Sequence, residues 1–500
     1  MTATPTAPPS RWVLVLTILV VVAFTVLRVV AAATLDLRSD EAYYWTWSHQ
    51  WVLSFLDQPP MVAGFERAGQ LVFGDTAFGA RFAQLAALPL IQLLLADIAR
   101  RRARSWNAAL FVVLAIECAL DYGLFVIVVE PSTPLLLFTS IMLWSLCRLD
   151  ETMDSHWWMA IGVAGGLALL SKFTIVMLAP AVLSFLVLAP RHRHWLATPW
   201  PYLACLIAAA IFSPVLIWNA QHGWVAFTYQ GVRLGTGQQG GFGDLSRFVI
   251  YELLFVGAVL LPATIIGGVA LLTRAIRRQL AFEGAIAVAF LVPIAFFGLR
   301  SLTLQINQSW AWFLWPIGIL ALALVLPWHS APRRVATLVA AIAVTGIPVV
   351  AALLYHATFD RSVWFGAGDP FGQDAGYGEM ANDVLSLARS GDIAWIATTD
   401  YRTYGELQWH IGGSIPVVQV NERSRFLDFA PQDIGAPGGK VLYVHRPDAA
   451  IALNAVTTPI ATVPVRWRGE IMQELVVDRL EGFVPDLSPP PGSPMYEARP

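Results

Sequence analysis

Charge is what this 500-residue chain has least of: Asp, Glu, Lys and Arg together make up 13% of it, against about 25% in an ordinary soluble domain. That shortage excludes a water-soluble globular protein. The formal net charge of -2 lacks the basic excess that a nucleic-acid partner would demand. Cysteine is nearly absent as well. Cys118, Cys147 and Cys205 are the three present, each inside an apolar run, so they read as small core residues and exclude a disulfide framework. There is no glycine-rich phosphate loop and no group of side chains at metal-ligand spacing; His192 and His194 have no acidic or cysteine neighbours in sequence. The reading is of no cofactor, with a carboxylate-held divalent cation left as an alternative. No repeat of fixed period is present.

What the chain has is apolar length. Hydrophobic residues make up 57% of it. Runs of roughly 20 apolar residues mark membrane spans, and they fall near 12–34, 79–99, 106–128, 131–148, 157–171, 173–189, 199–218, 248–272, 281–299, 309–327 and 335–355. This predicts a mainly α polytopic membrane protein of about eleven transmembrane helices. Four basic clusters orient it: Arg100-Arg101-Arg102 with Arg104, Arg191 with Arg193, Arg274 with Arg277 and Arg278, and Arg333-Arg334. All fall on one side of the eleven-span arrangement, and the excess of Arg and Lys on cytoplasmic loops makes that side internal. The first span, with Ala31-Ala32-Ala33 at its end, has the alternative of a cleaved signal peptide. Its apolar run is longer than the usual 7–15 residues of such a peptide, which favours an uncleaved helix.

Composition divides the chain into residues 1–10, expected to be disordered, a transmembrane domain over 11–355, an extracytoplasmic domain over 356–485, and a proline-rich tail over 486–500, also expected to be disordered. The 356–485 region alternates helix and strand signals: helix 376–390, strand 393–397, helix 401–411, strands 417–420, 440–444, 460–467 and 471–478. This is the pattern of a small α/β domain.

On the outer side, the loop 35–78 is the richest segment. Asp36, Asp40, Glu41 and Asp57 cluster there, with Arg38 as the evident basic neighbour. Ser39 or Asp40 caps a helix predicted over 41–55, along which Tyr44, Trp47, Trp51 and Phe55 recur on one face. Pro59-Pro60 ends it, and a second amphipathic stretch, Met61–Phe73, closes at Gly74-Asp75. One account is an interfacial anchor with the acids favouring the positive helix end. The other is a functional site, since an uncompensated carboxylate at a lipid boundary is costly and a partly desolvated one has the basicity of a general base. Lys172 is the second anomaly, a lysine in an apolar stretch that costs about 3 kcal/mol at membrane depth. It either snorkels to headgroups or holds a phosphate. Glu130 in a polar corner before Ser132, Asn219 at the start of the second outer loop, and Arg233 within the glycine-rich stretch 231–243 complete the set.

These segments resemble the membrane-embedded glycosyltransferases of family 39, which include the protein O-mannosyltransferases and the bacterial lipid A aminoarabinose transferases and share the C-type glycosyltransferase fold. The carriers are Arg38-Ser39-Asp40-Glu41-Ala42-Tyr43-Tyr44-Trp45, Phe55-Leu56-Asp57-Gln58-Pro59-Pro60-Met61, Phe73-Gly74-Asp75, Glu130-Pro131-Ser132-Thr133-Pro134-Leu135, Gly166-Leu167-Ala168-Leu169-Leu170-Ser171-Lys172 and Pro214-Val215-Leu216-Ile217-Trp218-Asn219. The resemblance implies inverting transfer of a sugar from a polyprenyl-phosphate donor to a lipid, glycan or protein hydroxyl at the outer face of a bacterial cytoplasmic membrane. It implies membrane lipids as the surroundings and no nucleic acid. It points to Asp40 as the catalytic acid residue with Glu41 beside it. Arg38, Tyr43, Tyr44, Asp57, Gln58, Glu130, Lys172, Asn219 and Arg233 are then expected around the substrates. Two positions depart from the family: Gln58 stands where the aminoarabinose transferases have a phosphate-binding lysine, and Ser132 where relatives carry an aspartate. A transporter or lipid flippase is the competing class, and a non-catalytic assembly partner a third.

Overall fold

The computed structural model describes residues 10–235 and 240–485, apart from short breaks at 361, 365, 367–368, 370, 373–374, 431–433, 435–438, 450–452 and 454. The expectations for residues 1–9 and 486–500, and for 236–239 of the glycine-rich stretch, lie outside the described residues. The chain forms two compact units, each gathered from three stretches: Met1–Ala31, Gln84–Leu216 and Arg233–Tyr355 in one, Ala32–Ala83, Ile217–Val232 and His356–Pro500 in the other. The division cuts across the linear boundary expected at residue 355, because the acidic outer loop groups with the tail.

The first unit is helical and apolar. Among the described residues, seven helices are long and apolar enough to cross a membrane, or eight if the bent pair Phe173–Leu188 and Pro190–Ala197 is one span; Trp106–Cys118, Trp157–Leu169 and Trp312–Val325 are shorter apolar helices. The protein is therefore a multi-pass membrane protein. The span expected at 248–272 is not continuous: helix Phe242–Val256 stops at Gly257, whose φ of 109° is open to glycine alone, and the spanning helix is Leu260–Arg278. Several buried charges of this unit are paired. Arg28, 2% exposed, pairs with Glu117 and donates to the Gly123 carbonyl at 2.8 Å, while Gln92 donates to Glu117 at 2.8 Å. At one end Arg102 bridges Asp150 at 2.7 Å and Glu283 at 2.6 Å, and Arg191 and His192 close on the same Asp150. Two of the basic clusters read from sequence thus converge on one shared carboxylate, Asp150. His192, which has no acidic neighbour in sequence, acquires one here.

The second unit carries a five-stranded sheet in the order β2-β1-β3-β5-β4, with β1 Trp395–Thr398, β2 Val417–Gln419, β3 Val441–His445, β4 Val456–Trp467 and β5 Glu470–Glu481. Strands β2, β1 and β3 run parallel and are buried along their whole length, as strands covered on both faces must be. The pair β4 and β5 is an antiparallel hairpin turned at Arg468-Gly469, both with positive φ, 51° and 90°. The outer strand β4 is exposed and carries Pro459 and Pro464, which removes donors from an edge that would otherwise pair with another chain.

Two helices of this unit meet closely: Ser39–Ser48 from the outer loop and Tyr401–Ile411 from the tail. The tail helix starts on Asp400, whose carboxylate accepts the Thr403 N–H at 2.9 Å. The contact is possible because residue 405 is glycine; a Cβ there would lie 2.7 Å from the Tyr43 nitrogen. Trp45 and Trp409 pack edge-to-face at 5.2 Å, and Trp409 and His410 both bond the Asp36 carboxylate, at 2.9 and 3.0 Å.

Candidate active site

The loop helix is shorter than its aromatic spacing predicts, ending at Ser48 rather than 55. Its last turn satisfies carbonyls with side chains: Thr46 Oγ1 donates to Tyr43 O at 2.7 Å and Ser48 Oγ to Trp45 O at 2.8 Å. Such local bonds offer the backbone an alternative to another helical turn. Trp47 and Phe55 still meet, stacked at 4.0 Å, but across a non-helical return. The cap also differs. Arg38 is the N-cap, and Glu41 Oε2 accepts its backbone N–H at 3.0 Å.

The acids expected to stand uncompensated are in fact matched by cations that lie far away in sequence. Glu41 is fully buried and held in bidentate fashion by Arg81, Nε to Oε1 at 2.8 Å and Nη2 to Oε2 at 2.6 Å. Arg81 goes on to donate to the carbonyls of Ala32, Leu35 and Asp36. Glu41 is thus engaged as an anchor of the loop. Asp57, 11% exposed at its side chain, pairs with Arg425 and accepts the Tyr43 hydroxyl at 3.1 Å. Arg425 donates to Tyr229 Oη at 3.0 Å, lies 3.4 Å from Glu422 and covers the Tyr401 ring at 4.4 Å.

Asp40 stands apart from these. Its side chain is 53% exposed, with the Tyr401 hydroxyl donating to Oδ1 at 3.2 Å and Arg402 Nε at 3.5 Å from the same oxygen. In this group of four acids, exposure is 34% for Asp36, 53% for Asp40, 0% for Glu41 and 11% for Asp57. Asp40 is the most exposed carboxylate of the four, and Glu41 and Asp57 are the enclosed ones.

Burial governs the protonation of the groups around these acids. It drives the Tyr43 hydroxyl well above the ordinary tyrosine value, with the Asp57 carboxylate adding to the rise. Tyr401 is raised by burial and then by Asp40, so both rings stay neutral donors. Glu422 is pushed up to about 7 by burial, although Arg425 opposes the shift. The folded protein therefore holds this proton more tightly than the unfolded chain. The stability that follows is present below pH 4.5 and is lost as pH rises towards 7. Glu422→Gln is expected to flatten that part of a melting-temperature profile recorded in detergent from pH 4.5 to 7.5; an unchanged slope would show that another group sets it.

The remaining expected site residues fall into several settings. Tyr44 packs on Trp47 at 5.0 Å. Gln58 is half-buried, and its Oε1 finds no partner among the described residues. Asn219 is buried and builds its own turn, its Oδ1 accepting the Ala226 N–H at 3.1 Å and its carbonyl the Trp224 N–H at 2.7 Å. Arg38 is half-buried at the helix start. In the membrane unit, Lys172 does not snorkel. Its side chain is 4% exposed, and Nζ donates to Glu130 at 3.0 Å and to Ser132 at 2.8 Å. Arg233 lies over the Trp310 ring at 5.2 Å. Sequence reasoning missed Arg81, Tyr229, Tyr401, Arg402, Glu422 and Arg425. Arg81 alone left a signal, as a charge just inside an apolar run.

Comparison with known proteins bears on this arrangement. Residues 57–218 match the family of dolichyl-phosphate-mannose-protein mannosyltransferases. A lipid A galacturonosyltransferase, RgtD of Rhizobium johnstonii, is 30% identical over 216 residues, 41% of this chain; the matched part is 43% of that protein's length. Among solved structures, ArnT from Cupriavidus metallidurans bound to undecaprenyl phosphate superposes with a TM-score of 0.63 at 16% identity, over 95% of this chain and 99% of ArnT. The oligosaccharyltransferase AglB from Archaeoglobus fulgidus, in complex with an inhibitory peptide and a dolichol-phosphate, gives 0.52 at 12% identity over 86% of this chain and 69% of its own. Both likenesses are of fold.

Proposed function

We propose that this chain, whose fold is that of the C-type membrane glycosyltransferases, is one of them and moves a sugar from a polyprenyl-phosphate donor to a hydroxyl of an envelope glycolipid of the lipid A kind. The reaction is a single displacement at the periplasmic face of the bacterial inner membrane. The observation that carries this reading is Asp40, the one strongly exposed carboxylate of its group, steadied by Tyr401 and Arg402. An acceptor hydroxyl has a pKa far above 7 and needs a base in contact. In the proposed step Asp40 takes the hydroxyl proton as the acceptor oxygen bonds to the anomeric carbon. The bond from that carbon to the phosphate oxygen breaks, and its electron pair leaves with the lipid phosphate. A hexosyl or hexuronosyl donor is favoured over a pentosyl one, since the sequence relative is a galacturonosyltransferase and Gln58 cannot supply the charge of the lysine that aminoarabinose transferases place there.

Within the membrane unit, on its own geometry, Lys172 is assigned as a donor to a lipid phosphate. Glu130 and Ser132 occupy two of its three N–H donors and fix it in place, leaving a directed donor for an anion. Lys172→Met is expected to raise the donor KM by roughly 10- to 100-fold, the worth of a charged hydrogen bond, with membrane insertion intact. An unchanged KM assigns the lysine to helix packing alone. The function itself is tested with purified protein in detergent, a radiolabelled polyprenyl-phosphate hexuronate and lipid A. Label passing to lipid A supports the reading; protein that binds both lipids and transfers nothing, across hexosyl and pentosyl donors, overturns it.

A further inference from the structure

Beside the acidic cluster the outer loop encloses a second concavity that none of the roles above uses. It has a volume of about 180 Å³ and lies between Trp47, Gln50, Trp51 and Phe55 on one side and Pro60, Gly64 and Arg67 on the other. That is smaller than the roughly 300–1,000 Å³ of common ligand pockets, so it has room for one ring.

Its lining is unusual in three ways. Trp51 is 99% exposed, the most solvent-facing of the large apolar side chains among the described residues. Trp47 is fully buried at 0%, yet its indole N–H has no acceptor among the described residues. A buried donor left without a partner costs about 1–3 kcal/mol and is usually satisfied by water or a ligand. Arg67 is half-buried and meets no carboxylate or carbonyl among the described residues, in contrast to Arg81 and Arg425 nearby, which are fully engaged. Gln50 is fixed by the Ala430 N–H, which donates to its Oε1 at 3.2 Å, and so keeps its amide N–H₂ for other partners. Gly64 has open space where a side chain would stand, so the helix Met61–Phe73 leaves the cleft clear at that point.

We infer that this cleft is a binding subsite for an anionic saccharide unit, a sugar carrying a phosphate or a carboxylate, stacked on the Trp51 ring with its negative group on Arg67. The flat C–H face of a pyranose matches an exposed indole, while its hydroxyls can meet Gln50. A free cation at the rim selects acidic over neutral sugars. The inference rests on the proposed sugar transfer and deepens it, since it specifies the acceptor as an acidic glycolipid headgroup held apart from the reacting carboxylate.

The test measures binding directly, without turnover. Purified full-length protein in neutral detergent is examined by saturation-transfer difference NMR with glucose 1-phosphate, glucose and inorganic phosphate. Glucose 1-phosphate is expected to receive saturation on its ring protons and to bind at least 10-fold more tightly than glucose. Arg67→Gln should remove that preference, a loss of roughly 10- to 100-fold for one charged contact. Trp51→Ala should abolish ring saturation while leaving the melting temperature unchanged, and Asp40→Asn should bind as the natural protein does. If inorganic phosphate or phosphatidylglycerol displaces glucose 1-phosphate as well as its own excess does, the cleft is a site for phosphate or lipid headgroups and the inference fails. It fails equally if either cleft variant binds normally. Normal binding with no transfer under any donor would instead sink the proposed reaction and leave the subsite standing.

Discussion

Asp40→Asn is expected to lower sugar transfer by roughly 100- to 10,000-fold, the usual worth of a general base, with the fold left intact. The second half of that statement follows from exposure. With 53% of its side chain open and its contacts to Tyr401 and Arg402 at 3.2 and 3.5 Å, the carboxylate is held by long, partly solvated bonds that contribute little to stability. An amide of the same shape still accepts from the Tyr401 hydroxyl but cannot take a proton. Turnover and melting temperature should therefore separate: a large fall in kcat with donor KM within a few-fold of normal and an unshifted unfolding transition. Glu41→Gln provides the contrast, because it disturbs a buried bidentate pair and should show in stability first. Near-normal turnover in Asp40→Asn would place the base elsewhere, and Asp57 would then be the next carboxylate to test.

The contrast between these two adjacent acids is also where the sequence ran out. Asp40 and Glu41 look equivalent as text, and their difference comes from which way a helix turn points them and from partners that no local pattern shows. Tyr401 lies 361 residues from Asp40. Arg425, which neutralises Asp57, lies in a tail segment that carries no apolar periodicity and no motif. What was legible had a repeating physical signal: apolar runs long enough for a membrane, and in the tail the alternation that marks helices 377–390 and 401–411 and the strands of the sheet. Failures occurred where a single residue overrode a pattern. Gly257 breaks an apolar run that hydropathy alone reads as continuous, and side-chain bonds from Thr46 and Ser48 stop a helix whose aromatic spacing runs on to Phe55. The family pattern drew attention to the loop where these acids gather; how each is partnered follows from contacts distant in sequence.

The largest stability effect is expected at Arg81. Its guanidinium is 2% exposed and meets both oxygens of Glu41 and three backbone carbonyls. Close by lies Glu66, itself fully buried, with neither carboxylate oxygen hydrogen-bonded among the described residues. Burial, and then the charge of Glu41, hold Glu66 well above the usual carboxylate range, so it sits in the fold as a neutral acid. Arg81→Met leaves Glu41 buried without its cation, a change that costs about 3–5 kcal/mol in comparable sites. The loop helix that carries Asp40 should loosen first, so activity and the thermal transition should fall together, unlike in Asp40→Asn. The deficit should be smallest in acid, where the carboxyls are neutral, and should widen as pH rises, because each ionisation then occurs without compensation. Replacing both members, Arg81→Met with Glu41→Leu, removes the charge and the orphan together and should recover much of the lost stability. If the double variant is no more stable than Arg81→Met alone, the bonds from Arg81 to the carbonyls of Ala32, Leu35 and Asp36, rather than the ion pair, are what hold the loop in place.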